Sequence, residues 1–226
     1  MESEKRDMVT FEDVKKNAEI RTYIEKGNAN LGVLGFTKHS IGHATKVSDT
    51  AAKILEELDY PARTVELARI AGYMHDIGNC VNRTDHAHNG AIMAMTILRD
   101  MGMKPDEIAT VIAAIGNHDE KTGTAVDAVS AALILADKTD VRRNRVRGRD
   151  LTKFDIHDRV NFAAISSELH MDQEKRQITL DIQLDDGICS VLDYFEIFLE
   201  RMLMCRRAAE MLGCSFKLKA NGSKVL

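Results

Sequence analysis

Tryptophan is absent from this chain of 226 residues, and proline occurs only twice. The scarcity of proline, together with 11 methionines, indicates long helices joined by few turns. Four cysteines stand far apart without a C-x-x-C pair, so their spacing predicts neither a zinc knuckle nor a disulfide framework. We therefore expect a helical protein with reduced thiols.

Positive charge is not in excess, and long hydrophobic runs are missing as well. The 31 Lys and Arg residues oppose 35 Asp and Glu residues, which gives a net charge of −4 with the 8 His neutral. This balance offers no general attraction to nucleic acid or to a membrane surface. The longest nearly apolar run, residues 128–136, is about half the length that crosses a bilayer. Because the N-terminus is also too charged for a signal peptide, we expect a cytoplasmic protein without a membrane partner.

Hydrophobic periodicity divides the chain into a helical segment at 1–36, a helical core at 37–160 and a C-terminal extension at 161–226. A capping pair, Thr10 and Asp13, begins the first helix, which is expected to end at Gly27. In the extension, alternating apolar residues over 178–184 predict a hairpin with residues 164–171, followed by a long helix and a short strand. The predicted fold class is therefore mainly α, a helical core with a small α+β extension.

Histidine is the informative residue type, because it is the commonest transition-metal ligand. His39 and His43 lie four residues apart on a predicted helix and so share a face. The other candidates lie at predicted helix ends or in loops: His75-Asp76 at the end of a helix with Gly78 just past it, His86 and His88 in the polar loop 80–88, and His118 after a helix that begins near Pro105.

Asp137 interrupts the apolar residues of a helix predicted over about 125–140. A carboxylate in such a helix costs on the order of several kcal/mol unless it is paired or bound to a metal. No Lys or Arg occupies the preceding turn, at Leu133 or Ile134, so a metal ion is the natural partner.

This ordered set resembles the HD-domain superfamily of metal-dependent phosphohydrolases over roughly residues 37–145. Five motifs carry the resemblance: His43-Ala-Thr-Lys-Val47, His75-Asp76-Ile77-Gly78, His86-Ala-His88-Asn-Gly90-Ala91, His118-Asp119-Glu120 and Leu-Ile-Leu-Ala-Asp137-Lys138. The resemblance implies that the core at 37–160 is an HD-type metal-binding helical domain.

The resemblance also implies a ligand set. Members of the superfamily that bind one metal use two His and two Asp, which are here His43, His75, Asp76 and Asp137. The additional His86 and His118 resemble the two-metal members, in which the Asp of the His-Asp pair bridges the ions. We therefore predict two divalent ions per chain. The donor mixture suits Mn, Fe, Co or Ni, admits Mg and does not exclude Zn.

Catalytic roles follow from the same resemblance. The segment His39-Ser-Ile-Gly-His43 is similar to the H-x-x-x-H of cyclic-nucleotide phosphodiesterases, whose first His protonates the leaving alkoxide. We predict His39, Asp76 and Lys138 as catalytic residues; the alternative for His39 is a residue that supports a ligand or faces solvent. In the basic run 138–149, Lys138 and Arg142 are predicted to bind substrate phosphate, and a solvated helix face is the alternative for the other members.

The expected function is a phosphohydrolase that cleaves a phosphomonoester or phosphodiester, nucleotides included, with a metal-activated hydroxide. The residues after His118 lack the Gly-Tyr-Pro signature of cyclic-di-GMP phosphodiesterases, and no purine clamp is recognisable. Two alternatives stay open. HD-type di-iron oxygenases use the same four His and two Asp, and a non-catalytic metal-stabilised module would bind a partner through the extension.

The expected partner is a small phosphorylated substrate. The basic run has no interleaved aromatic residues, so nucleic-acid binding is not expected. The long C-terminal helix has an apolar seam over 188–212 that fits either the hairpin of the same chain or a second copy, which would give a homo-oligomer through the C-terminal region.

Overall fold

The computed structural model describes residues 8–148, 154 and 156–225 and confirms a mainly α-helical fold with a small sheet near the C-terminal end. The helices are α1 (Phe11–Lys16), α2 (Ala18–Val33), α3 (Ile41–Glu57), α4 (Ala62–Met74), α5 (His86–Asp100), α6 (Pro105–Gly116), α7 (Ala128–Lys138), α8 (Ile156–Ala163) and α9 (Val191–Met211). Two 3₁₀ turns lie at Ile77–Cys80 and Arg143–Arg145, and the strands are β1 (Ala164–Asp172), β2 (Gln177–Leu184), β3 (Ser215–Ala220) and β4 (Ser223–Lys224). No helix in the described part of the chain has both the length and the apolar character that a membrane span requires.

The N-terminal segment forms two helices where the sequence predicts one. Thr10 begins α1 with the expected capping box, in which the Asp13 side chain accepts a hydrogen bond from the Thr10 main chain. The prediction that the helix ends at Gly27 is wrong, because Asn17 caps a second helix, α2, that continues past this glycine. Gly27 lies inside α2, where a Cβ would stand 3.1 Å from the Cβ of Asn79. The glycine therefore permits close packing of α2 on the first 3₁₀ turn.

Helix α7 lies at the centre of the fold, against α3, α4, α6 and α9. Asp127 and Ser130 cap its first turn reciprocally, and every residue from 129 to 136 is buried, as the apolar run predicts. Helices α3 and α4 approach so closely that a Cβ on Gly72 would stand 2.7 Å from the Cα of Ser48. This packing holds the helices that carry the candidate ligands in fixed positions.

Gly78 is required by space rather than by backbone conformation. The sequence predicts it as the glycine that terminates a helix, but it lies in the first 3₁₀ turn and is not among the described glycines with positive φ. A Cβ there would overlap the main-chain oxygen of His86 and stand 2.5 Å from the main-chain nitrogen of Gly90. The loop predicted through residue 88 is also wrong, since α5 begins at His86, directly after Asp85 in the left-handed region (φ 58°).

The C-terminal extension contains the predicted antiparallel hairpin of β1 and β2. After α9, β3 returns parallel to β2, which gives the strand order β1-β2-β3-β4. Helix α8 and strand β4 were not predicted, because both are short and lack a clear apolar period. Since α9 packs on α7, the buried core is continuous across the boundary predicted at residue 160. The domain boundaries themselves stay a prediction.

Candidate metal centre

Five histidine side chains share one hydrogen-bonding arrangement. Nδ1 of His39 lies 2.9 Å from the Thr37 main-chain oxygen, and Nδ1 of His43 lies 2.8 Å from Asp140 Oδ2. In the other three rings Nδ1 also faces a main-chain oxygen: that of Gly72 for His75 (2.8 Å), of Arg83 for His86 (3.1 Å) and of Ile115 for His118 (2.6 Å). In a neutral imidazole, an N–H at Nδ1 leaves the lone pair on Nε2. The arrangement therefore selects the tautomer that ligates a metal through Nε2.

One group of ligand atoms forms around His43 and His75. Their Nε2 atoms lie 3.3 and 3.6 Å from Asp137 Oδ1, and 3.6 and 3.2 Å from Asp76 Oδ2. The two Nε2 atoms and Asp76 Oδ2 are three of the six buried side-chain atoms in the described residues that lack a hydrogen-bond partner. Since buried polar atoms are nearly always satisfied, three unsatisfied ones that face each other fit a bound cation.

A second group forms on the other side of Asp76. Its Oδ1 lies 3.7 Å from His86 Nε2, which in turn lies 3.1 Å from His118 Nε2. Both ring nitrogens carry lone pairs in the selected tautomer, so their approach is favourable only with a proton or a cation between them. Asn79 Nδ2 donates to Asp76 Oδ1 at 2.7 Å and holds the carboxylate between the two groups.

The six predicted ligands thus converge, and all come from helix ends. Three sets offer one ligand atom each within 4.8 Å of one another: His43 with His75 and Asp76, His75 with His118 and Asp137, and Asp76 with His86 and His118. His43 lies in the first turn of α3, His75 follows α4, His86 begins α5, His118 follows α6 and Asp137 lies in the last turn of α7. Because these helices pack together in one contiguous hydrophobic core, that core positions every candidate ligand.

Charge at the centre favours a cation. Burial alone would lower the pKa of His75, but the Asp76 charge and the Asp137 carboxylate raise this pKa to about 10. Burial would raise the pKa of Asp137, yet the Lys138 charge and the facing His43 and His75 hold that pKa well below its usual value. The carboxylates are therefore ionised at neutral pH, and a metal ion that binds here displaces the proton from His75.

Lys138 is the local partner of Asp137 that the sequence argument overlooked. Its ammonium, on a nearly buried side chain, lies 2.7 Å from Asp137 Oδ2 and 3.9 Å from Glu120 Oε1. The inference that a metal ion is the natural partner of Asp137 was therefore incomplete, because Oδ2 faces Lys138 and only Oδ1 faces the histidines. Since two carboxylates hold this ammonium, Lys138 orients a ligand; its catalytic and substrate-binding roles stay a prediction.

Asp140 is a residue that sequence reasoning missed. Its Oδ2 accepts the Nδ1–H of His43, and Arg142 pairs with it at 2.6 Å from Nε to Oδ1. Arg142 therefore pairs with Asp140 and is not among the residues that line the cavity described below; its contact with substrate phosphate stays a prediction. A second carboxylate three residues after Asp137 was the signal available in the sequence.

Two further arginines of the basic run, Arg145 and Arg147, support the segment before α3, whereas Arg143 is exposed and pairs with Asp185. Arg145 donates to the main-chain oxygens of Asp140 (2.8 Å) and Lys38 (3.1 Å), and Arg147 donates to that of Phe36 (2.7 Å). The run ends at Arg149, which lies outside the described residues. These bonds position the segment that carries His39.

His39 lies before α3 rather than on it, because the helix begins at Ile41. The predicted shared helix face is therefore wrong, although the rings of His39 and His43 are in edge contact with centroids 5.6 Å apart. Burial lowers the pKa of His39 well below its usual value, so the ring is neutral at rest. His88, by contrast, is exposed and pairs with Asp85.

The candidate ligands lie beside a cavity of about 580 Å³. Helices α8 and α9 of the C-terminal part contribute to its wall, and the side chains they supply are His157, Asp158, Asn161, Ile197, Phe198 and Arg201. Arg201 Nη2 donates to Glu120 Oε1 at 2.8 Å, which ties α9 to the segment after His118. Nothing in the local sequence indicates this contact between residues that lie far apart in the chain.

Comparison with known proteins identifies a matching family model and similar chains. The family model for the HD domain matches residues 40–160. A protein of Methanocaldococcus jannaschii described only as uncharacterized is 26% identical over 200 residues, which cover 78% of this chain and 76% of that protein. The crystal structure of a predicted HD superfamily hydrolase from an uncultured Thermotogales bacterium has 27% sequence identity and a TM-score of 0.43, with 55% of this chain and 67% of that chain covered.

Proposed function

The chain belongs to the HD-domain superfamily of metal-dependent phosphohydrolases, and we propose that it cleaves a phosphomonoester or phosphodiester of a small molecule. One observation carries the proposal. The Nε2 atoms of His43 and His75 and the Oδ2 of Asp76 are buried, unsatisfied and directed at each other, beside a cavity large enough for a small molecule.

We propose two divalent ions. His43, His75 and Asp137 would hold one ion, His86 and His118 would hold the other, and Asp76 would be a ligand of both. When bound, the ions supply a Lewis acid for the phosphoryl oxygens and an activated water for attack on phosphorus. The mixed imidazole and carboxylate donors suit Mn, Fe, Co or Ni, with Mg and Zn admitted.

The side chains around the ligands have positioning and proton-transfer roles. Lys138 and Asn79 each hold one oxygen of a ligand carboxylate, Asp137 and Asp76 respectively. His39 donates its Nδ1–H to the Thr37 main chain, so Nε2 is the atom that accepts a proton from the attacking water and returns it to the leaving oxygen. His39 therefore acts as a proton carrier, since its neutral ring has no proton on Nε2 at the start.

The test combines metal analysis with a substrate panel. The purified protein is assayed for phosphate release from monoesters and diesters with Mn, Mg, Co or Ni, and for oxygen consumption with Fe(II). Metal-dependent phosphate release that the H75A/D76A double variant loses, and that the exposed control H88A keeps, is the expected result.

Three results would contradict the proposal. Phosphate release that survives in the double variant would place the activity elsewhere. Oxygen consumption without phosphate release would identify an oxygenase. Bound metal without either activity would identify a metal-stabilised interaction module.

A further inference from the structure

Arg83 contacts the nitrogen through which its neighbour His86 would bind a metal ion. It lies just before α5, and its Nη1 is 3.2 Å from His86 Nε2 and 3.4 Å from Asn79 Oδ1. The other side of the guanidinium faces Phe36, with Cζ 5.7 Å from the ring centroid. No carboxylate of the described residues forms an ion pair with Arg83, although it lines a cavity with several acidic side chains.

The Nε2 of His86 can serve only one of two partners. Its Nδ1–H donates to the Arg83 main-chain oxygen at 3.1 Å, so Nε2 carries one lone pair and no proton. This lone pair accepts an N–H from Arg83 in the structure, and ligation of an ion would use the same lone pair. An ion at His86, His118 and Asp76 therefore requires that the Arg83 guanidinium move away.

The Arg83 guanidinium has no carboxylate partner of its own among the described residues, so its charge is available to an anionic ligand. Three other cations of the cavity wall are already committed, because Lys138 pairs with Asp137, Arg201 pairs with Glu120, and Arg145 binds main-chain oxygens; Lys121 is exposed. A guanidinium presents its donors in a planar fork that matches two oxygens of a phosphate. Arg83 is thus the cavity cation best suited to receive an anionic group.

From this geometry we infer that Arg83 exchanges between two partners, the Nε2 of His86 before the second ion binds and a phosphate group of the substrate afterwards. The inference rests on the two-ion site of the proposed function. Because the ion releases the guanidinium and the phosphate then holds it, each ligand strengthens binding of the other. Arg83 is accordingly a substrate-binding residue whose availability depends on the metal content of the site.

The experiment uses Mn²⁺ and inorganic phosphate as probes, with titration calorimetry on the metal-free chain. In the wild type we expect two Mn²⁺ events, the weaker of which phosphate tightens about tenfold. In R83Q the weaker event should tighten without phosphate, since its competitor is gone, and phosphate should no longer change it. H86A should lose this event, which assigns it to the second group of ligands.

K121Q is the matched control, because Lys121 is an exposed cation of the same cavity without contact to His86 in the described structure. K121Q removes one positive charge from the cavity, as R83Q does, but it should keep the coupling between Mn²⁺ and phosphate. An R83Q variant that binds the second Mn²⁺ no more tightly than K121Q, or that keeps the coupling, would overturn the inference alone. A wild type that binds no Mn²⁺ and hydrolyses no ester would overturn the proposed function as well.

Discussion

The Nδ1 atom of His43 lies 2.8 Å from Oδ2 of Asp140, and both side chains are buried. The carboxylate fixes the ring orientation and directs Nε2 toward Asp76 and Asp137. Of the six candidate ligands, His43 alone bonds a carboxylate through Nδ1, whereas the other three histidines bond main-chain oxygens. The strength of His43 as a metal ligand therefore depends on the Asp140 side chain, which a substitution can remove.

Substitution of Asp140 should weaken metal binding. D140N keeps an oxygen for the Nδ1–H of His43 but removes the charge that makes the ring a better donor, so we expect a loss of about tenfold in affinity for the first ion. D140A should approach a hundredfold. The measurement is Mn²⁺ titration in competition with a chelator. D185N, which alters an exposed pair with Arg143, is the control, and equal affinity in D140A and D185N would contradict the assignment.

Substitution of a ligand in the second group should remove one of the two ions and leave the other bound. H118A removes a ligand atom 3.1 Å from His86 Nε2, so we expect a decrease from two ions to one per chain. The control is H88A, because His88 lies on the same helix as His86 but is exposed and paired with Asp85. Elemental analysis after dialysis against Mn²⁺ measures the ratio. Two ions in H118A, or one in the wild type, would contradict the two-ion proposal.

The candidate ligands could be predicted from sequence because each leaves a local signal. His75 and Asp76 are adjacent, and Asp137 is a charge within an apolar helix, so both are visible in a window of a few residues. The hairpin was likewise predicted, because alternation has a period of two along a single strand.

The contacts that hold these ligands could not be predicted in the same way. Asp140 meets His43 across 97 residues, and Arg201 meets Glu120 across 81. Such pairs depend on how helices pack, so a local signal such as the spacing of Asp137 and Asp140 does not identify the partner residue. The role predicted for Gly78 was wrong for a related reason. Glycine is common both at helix ends and where two main-chain segments approach closely, and only the position of α5 shows that the close approach applies here.

Gly78 should tolerate no side chain. In G78A the new Cβ would overlap the main-chain oxygen of His86 and crowd Gly90, so the 3₁₀ turn and α5 must separate. We expect a loss of about 3 kcal/mol in the free energy of unfolding, because main-chain atoms cannot rotate away as side chains do. Urea denaturation measures it. G116A is the control, since its Cβ would lie 3.7 Å from the nearest atom, and it should change stability by less than about 1 kcal/mol.

The ion pair of Arg201 with Glu120 should make the attachment of α9 dependent on pH. Burial raises the pKa of Glu120, but the Arg201 and Lys138 charges outweigh it and hold this pKa below its ordinary 4.5. A carboxyl with a depressed folded-state pKa contributes stability above the unfolded-state value and loses it as pH falls through the folded-state value. The pair therefore contributes its full stability above the ordinary value of 4.5 and progressively less as the pH falls below it.

R201Q should consequently lower the free energy of unfolding by about 1 kcal/mol at pH 7 in the metal-free protein. The difference from wild type should shrink when the same urea titrations are repeated at pH values below 4.5. E120Q should show a similar loss at neutral pH, and the double variant should cost less than the sum of the single variants, because the two side chains lie 2.8 Å apart. Additive losses, or a difference that stays constant with pH, would show that α9 is held by apolar packing alone.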